Sequence, residues 1–337
     1  MRCYEFDAFG VANLRLSERP DPRCGTGEVC VRIRAASINY RDWMMVEGKY
    51  NPRQKLPLIP CSDGAGEVVE VGAGVTRLRV GDRVAGCFFP RWMGGPPAKE
   101  KINAPLGGPL DGMLCELRVL PEDAWVSLPE HLSFEEASTL PCAGLTAWSA
   151  VVEQGCVKPG ETVLVQGTGG VSLFALQWAK LCGARVIVTS SSDLKLERAR
   201  ALGADETINY RTAQDWGTAA RELTGGVGVD HVVEVGGAGT FARSLRAVRV
   251  GGTISVIGVL GGNATETSFI PILMQNLRIQ GVVVGSREMF QHMLAAMAQH
   301  KLRPVLDQVF PFSEAVAAFQ HLSQGAHFGK ISVRIEG

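Results

Sequence analysis

The stretch that most restricts how this chain can fold spans residues 161–195. Thr162–Gln166 is a short apolar run rich in valine, typical of a strand buried on both faces. The glycine-rich residues 167–170 break this run, the apolar residues 173–181 then favour a helix, and residues 185–189 resemble a second buried strand. A strand, a glycine turn, a helix and a second strand within about thirty residues predict one βαβ unit of a parallel sheet.

The glycine turn also predicts a ligand for this unit. Glycines allow backbone N–H groups to approach a pyrophosphate, and the positive end of the helix dipole faces the same anion. Ser172 stands where the dinucleotide fingerprint has its third glycine, and serine is small enough for close packing of helix and strand. An ordinary α/β turn is the alternative, but the flanking strands favour dinucleotide binding. The residues expected around the phosphates are Gly167, Thr168, Gly169, Gly170 and Val171.

The end of the second strand indicates which dinucleotide binds. An NAD site carries Asp or Glu about twenty residues past the glycines, where it binds the ribose diol. This chain has Ser190 and Ser191 there, followed by Lys195. Hydroxyl groups and a cation suit a 2′-phosphate, and no carboxylate repels it. Asp193 competes for the ribose, but it lies past the strand, where it stabilises the first turn of a helix. NADP(H) is therefore favoured over NAD(H).

Composition limits the classes of partner. The chain has 337 residues, enough for two domains, and 34 basic residues match 34 acidic ones, so no net field attracts nucleic acid or an anionic membrane. No apolar run approaches a membrane span, and no basic-then-apolar leader opens the sequence. The nine cysteines are scattered without a CxxC pair, as in reducing compartments. We expect a cytoplasmic protein with a small-molecule substrate and no nucleic-acid or membrane partner.

Strand and helix patterns divide the chain. Residues 1–126 form short strands broken by turns, and residues 287–337 regain this β-rich character. Residues 127–286 continue the βα alternation. These patterns predict an α/β protein, with a doubly wound parallel sheet in residues 127–286 and a β-rich domain in residues 1–126 completed by 287–337.

The far half of the predicted sheet holds further candidates. Ligands of such sheets bind at the carboxyl ends of the strands, where Gly236 and Gly258 are expected. Glu234 interrupts a buried strand close to that edge. The strands expected at residues 252–258 and 277–284 would leave an apolar edge unpaired, which predicts a homodimer with a sheet continuous across it.

Residues 87–113 form a long, poorly periodic segment, which is uncommon in a compact domain unless the segment is functional. Phe88, Phe89 and Trp92 are candidates for the wall of an apolar substrate pocket. The alternative is that they pack this loop on its own domain, and the sequence does not decide between the two.

Several motifs along the whole chain carry a family resemblance: ASINYRD (36–42), IPCSDGAGEVVEVG (59–72), LPCAGLTAW (140–148), VLVQGTGGVSLFALQWAK (163–180) and HFGKISV (327–333). Together they resemble the medium-chain dehydrogenase/reductase superfamily, and within it the zinc-free quinone-oxidoreductase-like and zinc-independent alcohol dehydrogenase branch. The resemblance implies a GroES-like catalytic domain, a Rossmann domain, and hydride transfer with NADP(H) or NAD(H). It also implies cofactor contacts close to the nicotinamide, near the adenine and near the C-terminus, by Asn39, Thr146, Tyr210, Phe328 and Lys330.

The polar turn in ASINYRD supplies the catalytic candidates. Asn39 can donate an amide N–H to a substrate oxygen, and the Tyr40 hydroxyl can supply a proton. Asp42 can orient either residue, although an exposed ion pair with Arg41 is the simpler expectation. A turn in which the Asn39 side chain satisfies backbone groups is the alternative.

The zinc-dependent branch takes its catalytic ligands from positions that correspond here to Asn39, Ser62-Asp63 and Cys142. One thiolate cannot hold Zn²⁺, which needs at least three protein ligands at a catalytic site. The four-cysteine structural zinc lobe of that branch would fall at residues 87–115, which contain only the two cysteines at their ends. We therefore expect no metal.

The sequence thus predicts a metal-independent oxidoreductase that transfers hydride between NADP(H) and an apolar carbonyl, alcohol, quinone or enone. An NADPH-dependent quinone reductase is the near alternative. An enoyl thioester reductase would need a recognisable acid and a basic patch for the carrier phosphate, and neither stands out. From another class, the fold could serve a non-catalytic nucleotide-binding protein, against which the retained phosphate loop and polar turn argue.

Overall fold

The computed structural model describes residues 1–264, 266 and 268–336 and divides the chain into two compact units. Unit 1 comprises Met1–Leu145 and the chain from Val284 onward, and unit 2 comprises Thr146–Val283. The first boundary falls later than the predicted 126/127. Residues 127–145 group with unit 1 because they bond to its strands, for example through Arg334 Nε, which donates to Glu135 Oε1 at 2.6 Å.

The secondary structure is numbered along the chain. The strands are β1 (Arg2–Glu5), β2 (Arg15–Glu18), β3 (Glu28–Ile38), β4 (Asp63–Val71), β5 (Arg83–Gly86), β6 (Leu117–Pro121), β7 (Trp125–Ser127), β8 (Thr162–Gln166), β9 (Arg185–Ser190), β10 (Glu206–Asn209), β11 (Val229–Glu234), β12 (Val248–Val256), β13 (Arg278–Gly281), β14 (Leu306–Pro311) and β15 (Lys330–Arg334). The α-helices are α1 (Tyr40–Val46), α2 (Lys99–Ile102), α3 (Phe134–Ala137), α4 (Leu145–Trp148), α5 (Gly170–Leu181), α6 (Asp193–Ala201), α7 (Trp216–Glu222), α8 (Phe241–Ala247), α9 (Ile270–Met274), α10 (Arg287–His300) and α11 (Ala315–Ser323). Short π-helical segments at Leu140–Gly144 and Ser149–Glu153 flank α4.

Unit 1 is built around the long strand β3. Its seven-stranded sheet has the order β14-β15-β3-β4-β5-β7, with β6 also paired to β3, and only the β14–β15 pair is parallel. In the register of this sheet, Ser37 lies opposite Asp63 and Ile38 lies opposite Ile331. The end of β3 and the starts of β4 and β15 therefore meet, and this meeting point positions the polar turn.

Unit 2 has a six-stranded parallel sheet with the order β10-β9-β8-β11-β12-β13. The chain starts in the middle at β8, moves outward to β10, and returns to β11 on the other side of β8. Fully buried apolar side chains such as Leu164, Ile187 and Val232 fill its core. This is the predicted doubly wound Rossmann arrangement, in which ligands bind beyond the carboxyl ends of the two central strands. The predicted fold class is confirmed.

Exposed apolar side chains precede the strand at the far edge of this sheet. Strand β13 is shorter than the predicted 277–284 and lies at the edge. Near it, Phe269 is 82% exposed, Leu273 77% and Met274 73%. Among the described helices, none combines the length and the apolar character needed to cross a membrane.

Candidate active site

The polar turn begins where β3 ends. Asn39 is the N-cap of α1, in an extended conformation, and its backbone N–H donates to Asp42 Oδ2 at 2.8 Å. Carboxylates three residues after an N-cap commonly satisfy this otherwise unpaired N–H. The short motif from Asn39 to Asp42 therefore fixes the entry into the helix and the position of Asn39.

Asp42 is a buried organising residue. Its side chain is fully buried, and its Oδ1 accepts hydrogen bonds from Ser62 N at 3.1 Å and Arg41 Nη1 at 3.0 Å. The expected exposed ion pair with Arg41 is wrong, because the Arg41 side chain is only 9% exposed and stacks between the rings of Tyr50 and Phe88. Asp42 is fully buried and bonded to Asn39 N, and its role as a catalytic candidate stays a prediction.

The amide of Asn39 is held from both ends. Lys330 Nζ donates to Asn39 Oδ1 at 2.6 Å and to Ile38 O at 2.8 Å. Asn39 Nδ2 donates to Ser62 Oγ at 3.4 Å. Because an ammonium can only donate, the amide atom that Lys330 contacts is the oxygen. This contact fixes the orientation of the amide, and Nδ2 carries a second N–H. Lys330 and Ser62 are side-chain partners of Asn39, and the capping box with Asp42 also joins the Asn39 side chain to the helix backbone, as the alternative expects.

A buried carboxylate stands behind this amide. Asp63, the first residue of β4, is fully buried and accepts hydrogen bonds from Ser62 Oγ at 2.7 Å and from Cys142 N at 3.1 Å. Burial raises the pKa of Asp63 to about 6, and the Asp42 carboxylate acts in the same direction, while the Lys330 ammonium opposes it. Burial and the nearby Asp63 carboxylate likewise raise the pKa of the Cys142 thiol.

These residues do not fit a zinc ion. Of the four positions, Asn39 offers an amide, Ser62 a hydroxyl, Asp63 a carboxylate and Cys142 a thiol, so only two of them carry a ligand type that zinc sites use. Zinc sites take three or more thiolate, imidazole or carboxylate ligands, and the Lys330 ammonium bonded to Asn39 Oδ1 adds a positive charge to the cluster. Within the described residues, no group of three or more His, Cys, Asp or Glu side chains is arranged to hold a metal.

Tyr40 is the more accessible member of the turn. It is 41% exposed, and its ring lies against Trp43 with centroids 5.3 Å apart. The other aromatic candidates are enclosed. Phe88, Phe89 and Trp92 are at most 5% exposed and pack on one another, and Trp92 Nε1 donates to Gly95 O at 2.9 Å. This enclosure agrees with the second alternative, a loop packed on its own unit, and the contact of these rings with a substrate stays a prediction.

The glycine turn of unit 2 has the geometry expected of a phosphate site. Gly167 has a φ of +74°, in the region that favours glycine, and Gly169 leads into the twelve-residue helix α5 with open space at its missing Cβ. Ser172, in place of the third glycine, is buried and donates to Gln166 O at 2.7 Å. The departure from the fingerprint thus adds a hydrogen bond between helix and strand. Thr168 lies in the same turn, and Gly170 and Val171 are the first two residues of α5.

The end of β9 gathers the residues expected around a 2′-phosphate. Ser190 is buried and Tyr210, whose N–H donates to Ser190 O at 3.0 Å, is 42% exposed. Ser191 and Lys195 follow on the turn into α6 and on its first turn. The competing Asp193 accepts a hydrogen bond from Asn209 Nδ2 at 2.7 Å, so its carboxylate already has a partner in the protein.

The remaining predicted cofactor contacts lie in different surroundings. Thr146 and Phe328 are nearly fully buried, at 3% and 1% exposure. Lys330 is 3% exposed and its ammonium contacts Asn39 and Ile38, so its position here is that of a partner to Asn39. The contacts of all three with a cofactor stay predictions.

Gly236 and Gly258 follow the ends of β11 and β12, as predicted. Their N–H groups bond within the protein. Gly236 N donates to Gln166 Oε1 at 3.2 Å and to Glu234 Oε1 at 2.8 Å, and Gly258 N donates to Glu234 O at 3.3 Å. The two partners, Glu234 and Gln166, were not predicted as site residues. A charged residue inside an otherwise apolar strand was the one signal that pointed to them.

Comparison with known protein families covers both units. Residues 25–130 match the alcohol dehydrogenase GroES-like domain, and residues 170–299 match the zinc-binding dehydrogenase family. The second description mentions zinc, whereas the residues of this chain do not fit that ion.

Individual relatives cover nearly the whole chain. A zinc-type alcohol dehydrogenase-like protein of Schizosaccharomyces pombe is 45% identical over 92% of this chain and 91% of its own length. A quinone oxidoreductase of Pseudomonas aeruginosa is 34% identical over 95% of both chains. The crystal structure of an NAD-dependent alcohol dehydrogenase superposes with a TM-score of 0.91 at 36% identity, with all of both chains covered. The chain therefore belongs to the medium-chain dehydrogenase/reductase superfamily and is an oxidoreductase of that superfamily.

Proposed function

We propose that this protein is a zinc-independent oxidoreductase that uses NADP(H) and acts on an apolar carbonyl, alcohol, quinone or enone. The observation that carries the proposal is the Asn39 amide, whose oxygen is held by the Lys330 ammonium and whose nitrogen faces Ser62. In the proposed reaction, one N–H of this amide is offered to a substrate oxygen.

When bound, the nicotinamide accepts or supplies the hydride. In the reducing direction, negative charge develops on the substrate oxygen, and an Nδ2–H of Asn39 donates to it. The Lys330 ammonium withdraws electron density through Asn39 Oδ1, which strengthens this donor. Asp42 keeps the turn in place through Asn39 N. The exposed Tyr40 hydroxyl, directly or through water, is the proposed source of the proton.

Two features support NADP(H) over NAD(H). Ser190, Ser191 and Lys195 follow the end of β9, where a 2′-phosphate is expected, and the competing carboxylate, that of Asp193, is bonded to Asn209. The NAD-dependent relative is the contrary indication. The phosphate turn itself, with Gly167 at positive φ and open space at Gly169, fits either cofactor.

A direct assay tests the proposal. The purified protein is offered NADPH or NADH with ketones, quinones and enones, and NADP⁺ or NAD⁺ with alcohols, before and after chelator treatment with the metal content measured. We expect NADPH-linked turnover that survives metal removal. Loss of activity with the metal and its return with zinc would contradict zinc independence. Binding of NADPH without turnover on any substrate class would instead support a non-catalytic protein.

A quinone reductase is the second candidate, favoured by the 34% identical Pseudomonas aeruginosa quinone oxidoreductase. The same assay separates the two candidates, because a quinone reductase turns over quinones with NADPH and leaves alcohols unoxidised. Turnover restricted to thioester enones would indicate an enoyl thioester reductase.

We further propose a cytoplasmic homodimer formed at the exposed edge of the parallel sheet. The edge strand β13 has unpaired backbone groups, and the neighbouring Phe269, Leu273 and Met274 are mostly exposed apolar side chains. A second copy of the chain would present the same strand and the same apolar surface, so one two-fold contact would cover both.

A further inference from the structure

Glu234 is a buried carboxylate in unit 2 that the proposed chemistry does not use. It is the last residue of β11 and is fully buried. Each of the five donors that contact it is neutral. Burial of a charge is costly, and a carboxylate with neutral partners is tolerated when hydrogen bonds replace its hydration. We therefore expect the Glu234 carboxylate to hold these donors in place.

The two carboxylate oxygens bind different parts of the unit. Oε1 accepts from Gly236 N at 2.8 Å, Gly237 N at 2.9 Å and Thr240 Oγ1 at 2.5 Å, which lie in the turn after β11. Oε2 accepts from Gln166 Nε2 at 2.7 Å and from Ser244 Oγ. Oε1 thus holds the turn after β11, and Oε2 holds Gln166 at the end of β8 and Ser244 on α8.

Gln166 connects this carboxylate to the phosphate turn. It is the last residue of β8, directly before Gly167, and its Oε1 accepts from Val235 N and Gly236 N, both at 3.2 Å. Strands β8 and β11 are the neighbours at which the chain changes direction across the sheet. Cofactors bind in the crevice beyond the carboxyl ends of these two strands. The hydrogen bonds of Gln166 and Glu234 therefore join the two strands that border the expected crevice.

The turn after β11, which Glu234 holds, is hydrogen-bonded to the loop after β12. Ala238 N donates to Gly262 O at 2.9 Å, and Gly261 N donates to Gly236 O at 2.6 Å. The loop with Gly261 and Gly262 follows β12. The shape of the loops after β11 and β12 therefore depends on one carboxylate. In a doubly wound sheet these strands form the second mononucleotide-binding half, whereas β8 to β10 form the adenosine half.

We infer that Glu234 is the positioning residue of the nicotinamide-nucleotide half of the site, an inference that rests on the proposed function. All five groups around the carboxylate are donors, so a carboxamide would direct its own N–H at one of them. Substitution by glutamine should release the turn at Gly236–Thr240 and leave the phosphate turn at Gly167–Gly169 intact.

The test compares a whole cofactor with its adenosine half. Dissociation constants of NADPH and of adenosine 2′,5′-bisphosphate are measured for the full chain and for Glu234→Gln and Thr240→Val, at a temperature at which each is folded. Thr240→Val removes one donor from the turn side of the carboxylate and preserves side-chain shape. Ser255→Ala is the control, because it removes a different buried hydrogen bond in the same sheet, to His231.

For Glu234→Gln and Thr240→Val we expect NADPH to bind roughly tenfold more weakly and the bisphosphate to bind within about twofold of the wild type. Ser255→Ala should lower the unfolding temperature and change neither constant. If both ligands weaken equally, or neither weakens, the inference is overturned; Thr240→Val decides alone if Glu234→Gln does not fold. A wild-type chain that binds neither ligand refutes the proposed function itself. If the wild type prefers NADH, NADH and adenosine monophosphate replace the two ligands.

Discussion

The ammonium of Lys330 lies 2.6 Å from the amide oxygen of Asn39, although 291 positions separate the two residues. The contact is buried, and it forms because β15 pairs with the end of β3, with Ile331 opposite Ile38. A charge placed on the amide oxygen makes the amide nitrogen a better donor, so in the proposed function the two residues act together on the substrate oxygen.

Removal of this charge should impair chemistry more than cofactor binding. For Lys330→Met we expect kcat to fall about tenfold to a hundredfold, because the amide loses both its polarisation and its fixed orientation. The dissociation constant of NADPH should change little. Stopped-flow turnover and fluorescence titration measure the two quantities, and Lys301→Met, at an exposed lysine of the same unit, is the control. A large loss of NADPH affinity with normal kcat would show that Lys330 contacts the cofactor instead.

Loss of the amide itself should be more severe. For Asn39→Ala we expect kcat/KM to fall about a hundredfold or more, the effect of removing one donor to a developing oxyanion. Asn103→Ala, at an exposed asparagine of unit 1, should be active like the wild type. Steady-state kinetics with a substrate found in the assay measure both. An Asn39→Ala variant with full activity would eliminate this residue as the polarising group.

Asp42 should contribute mainly to stability. Asp42→Asn leaves Arg41 buried beside Tyr50 and Phe88 without its counter-charge. Loss of one partner of a buried pair costs about 3–5 kcal/mol, so we expect the free energy of unfolding to fall by roughly that amount. Urea unfolding followed by circular dichroism measures it. An unchanged midpoint would mean that the pair is dispensable.

Two buried groups should make stability depend on pH in opposite directions. The folded-state pKa of Asp63 is raised from 3.8 to about 6, so its contribution is fully present below 3.8 and is lost as the pH rises through 6. Burial lowers the pKa of His231 from 6.5 to about 4, so its contribution is present above 6.5 and is lost as the pH falls through 4. Each change amounts to about 3 kcal/mol.

Variants separate the two contributions. Asp63→Asn should make stability rise more steeply between pH 4 and 6, because only the histidine contribution remains. His231→Gln, which keeps a partner for Ser255, should make stability fall over the same range. Urea midpoints measured at several pH values test this pair. Parallel pH profiles of the wild type and both variants would show that neither group titrates as described.

The exposed apolar edge should control assembly. We expect Leu273→Glu to convert the proposed dimer into a monomer, since it places a charge on a surface where a second copy would pack. Light scattering measures the mass, and Val80→Glu, at an exposed apolar residue of unit 1, serves as the control. A wild-type chain that is already monomeric at micromolar concentration would refute the dimer.

The parallel sheet could be predicted because its signals are local. Buried strands such as Thr162–Gln166 are continuous apolar runs, and the glycine turn follows immediately. Strand limits were less accurate: the strand predicted at 252–258 begins earlier, as Val248–Val256. Gly251, which has a positive φ, lies inside this strand. A glycine there makes the start of the strand hard to recognise in the sequence.

The polar cluster was only partly predictable, because its contacts are long-range. ASINYRD pointed to Asn39, but the buried pair of Asp42 and Arg41 also involves Phe88, whose ring comes from a distant loop. Ser62 and Asp63 were considered only as metal positions, whereas the structure shows them in hydrogen bonds behind the amide. Glu234 could be noted in the sequence as a charged residue in a buried strand. Its hydrogen bonds to the turn after β11 could be recognised only in the structure.

The pairing of β15 with β3 has a consequence for biosynthesis. Unit 2 is one continuous segment and can collapse while the ribosome is still translating, but the sheet of unit 1 lacks two strands until residues 306–334 have emerged. Lys330 can therefore reach the Asn39 amide only after the whole of unit 2 has been made. A nascent chain would then carry a complete unit 2 before the sheet that positions Asn39 is finished.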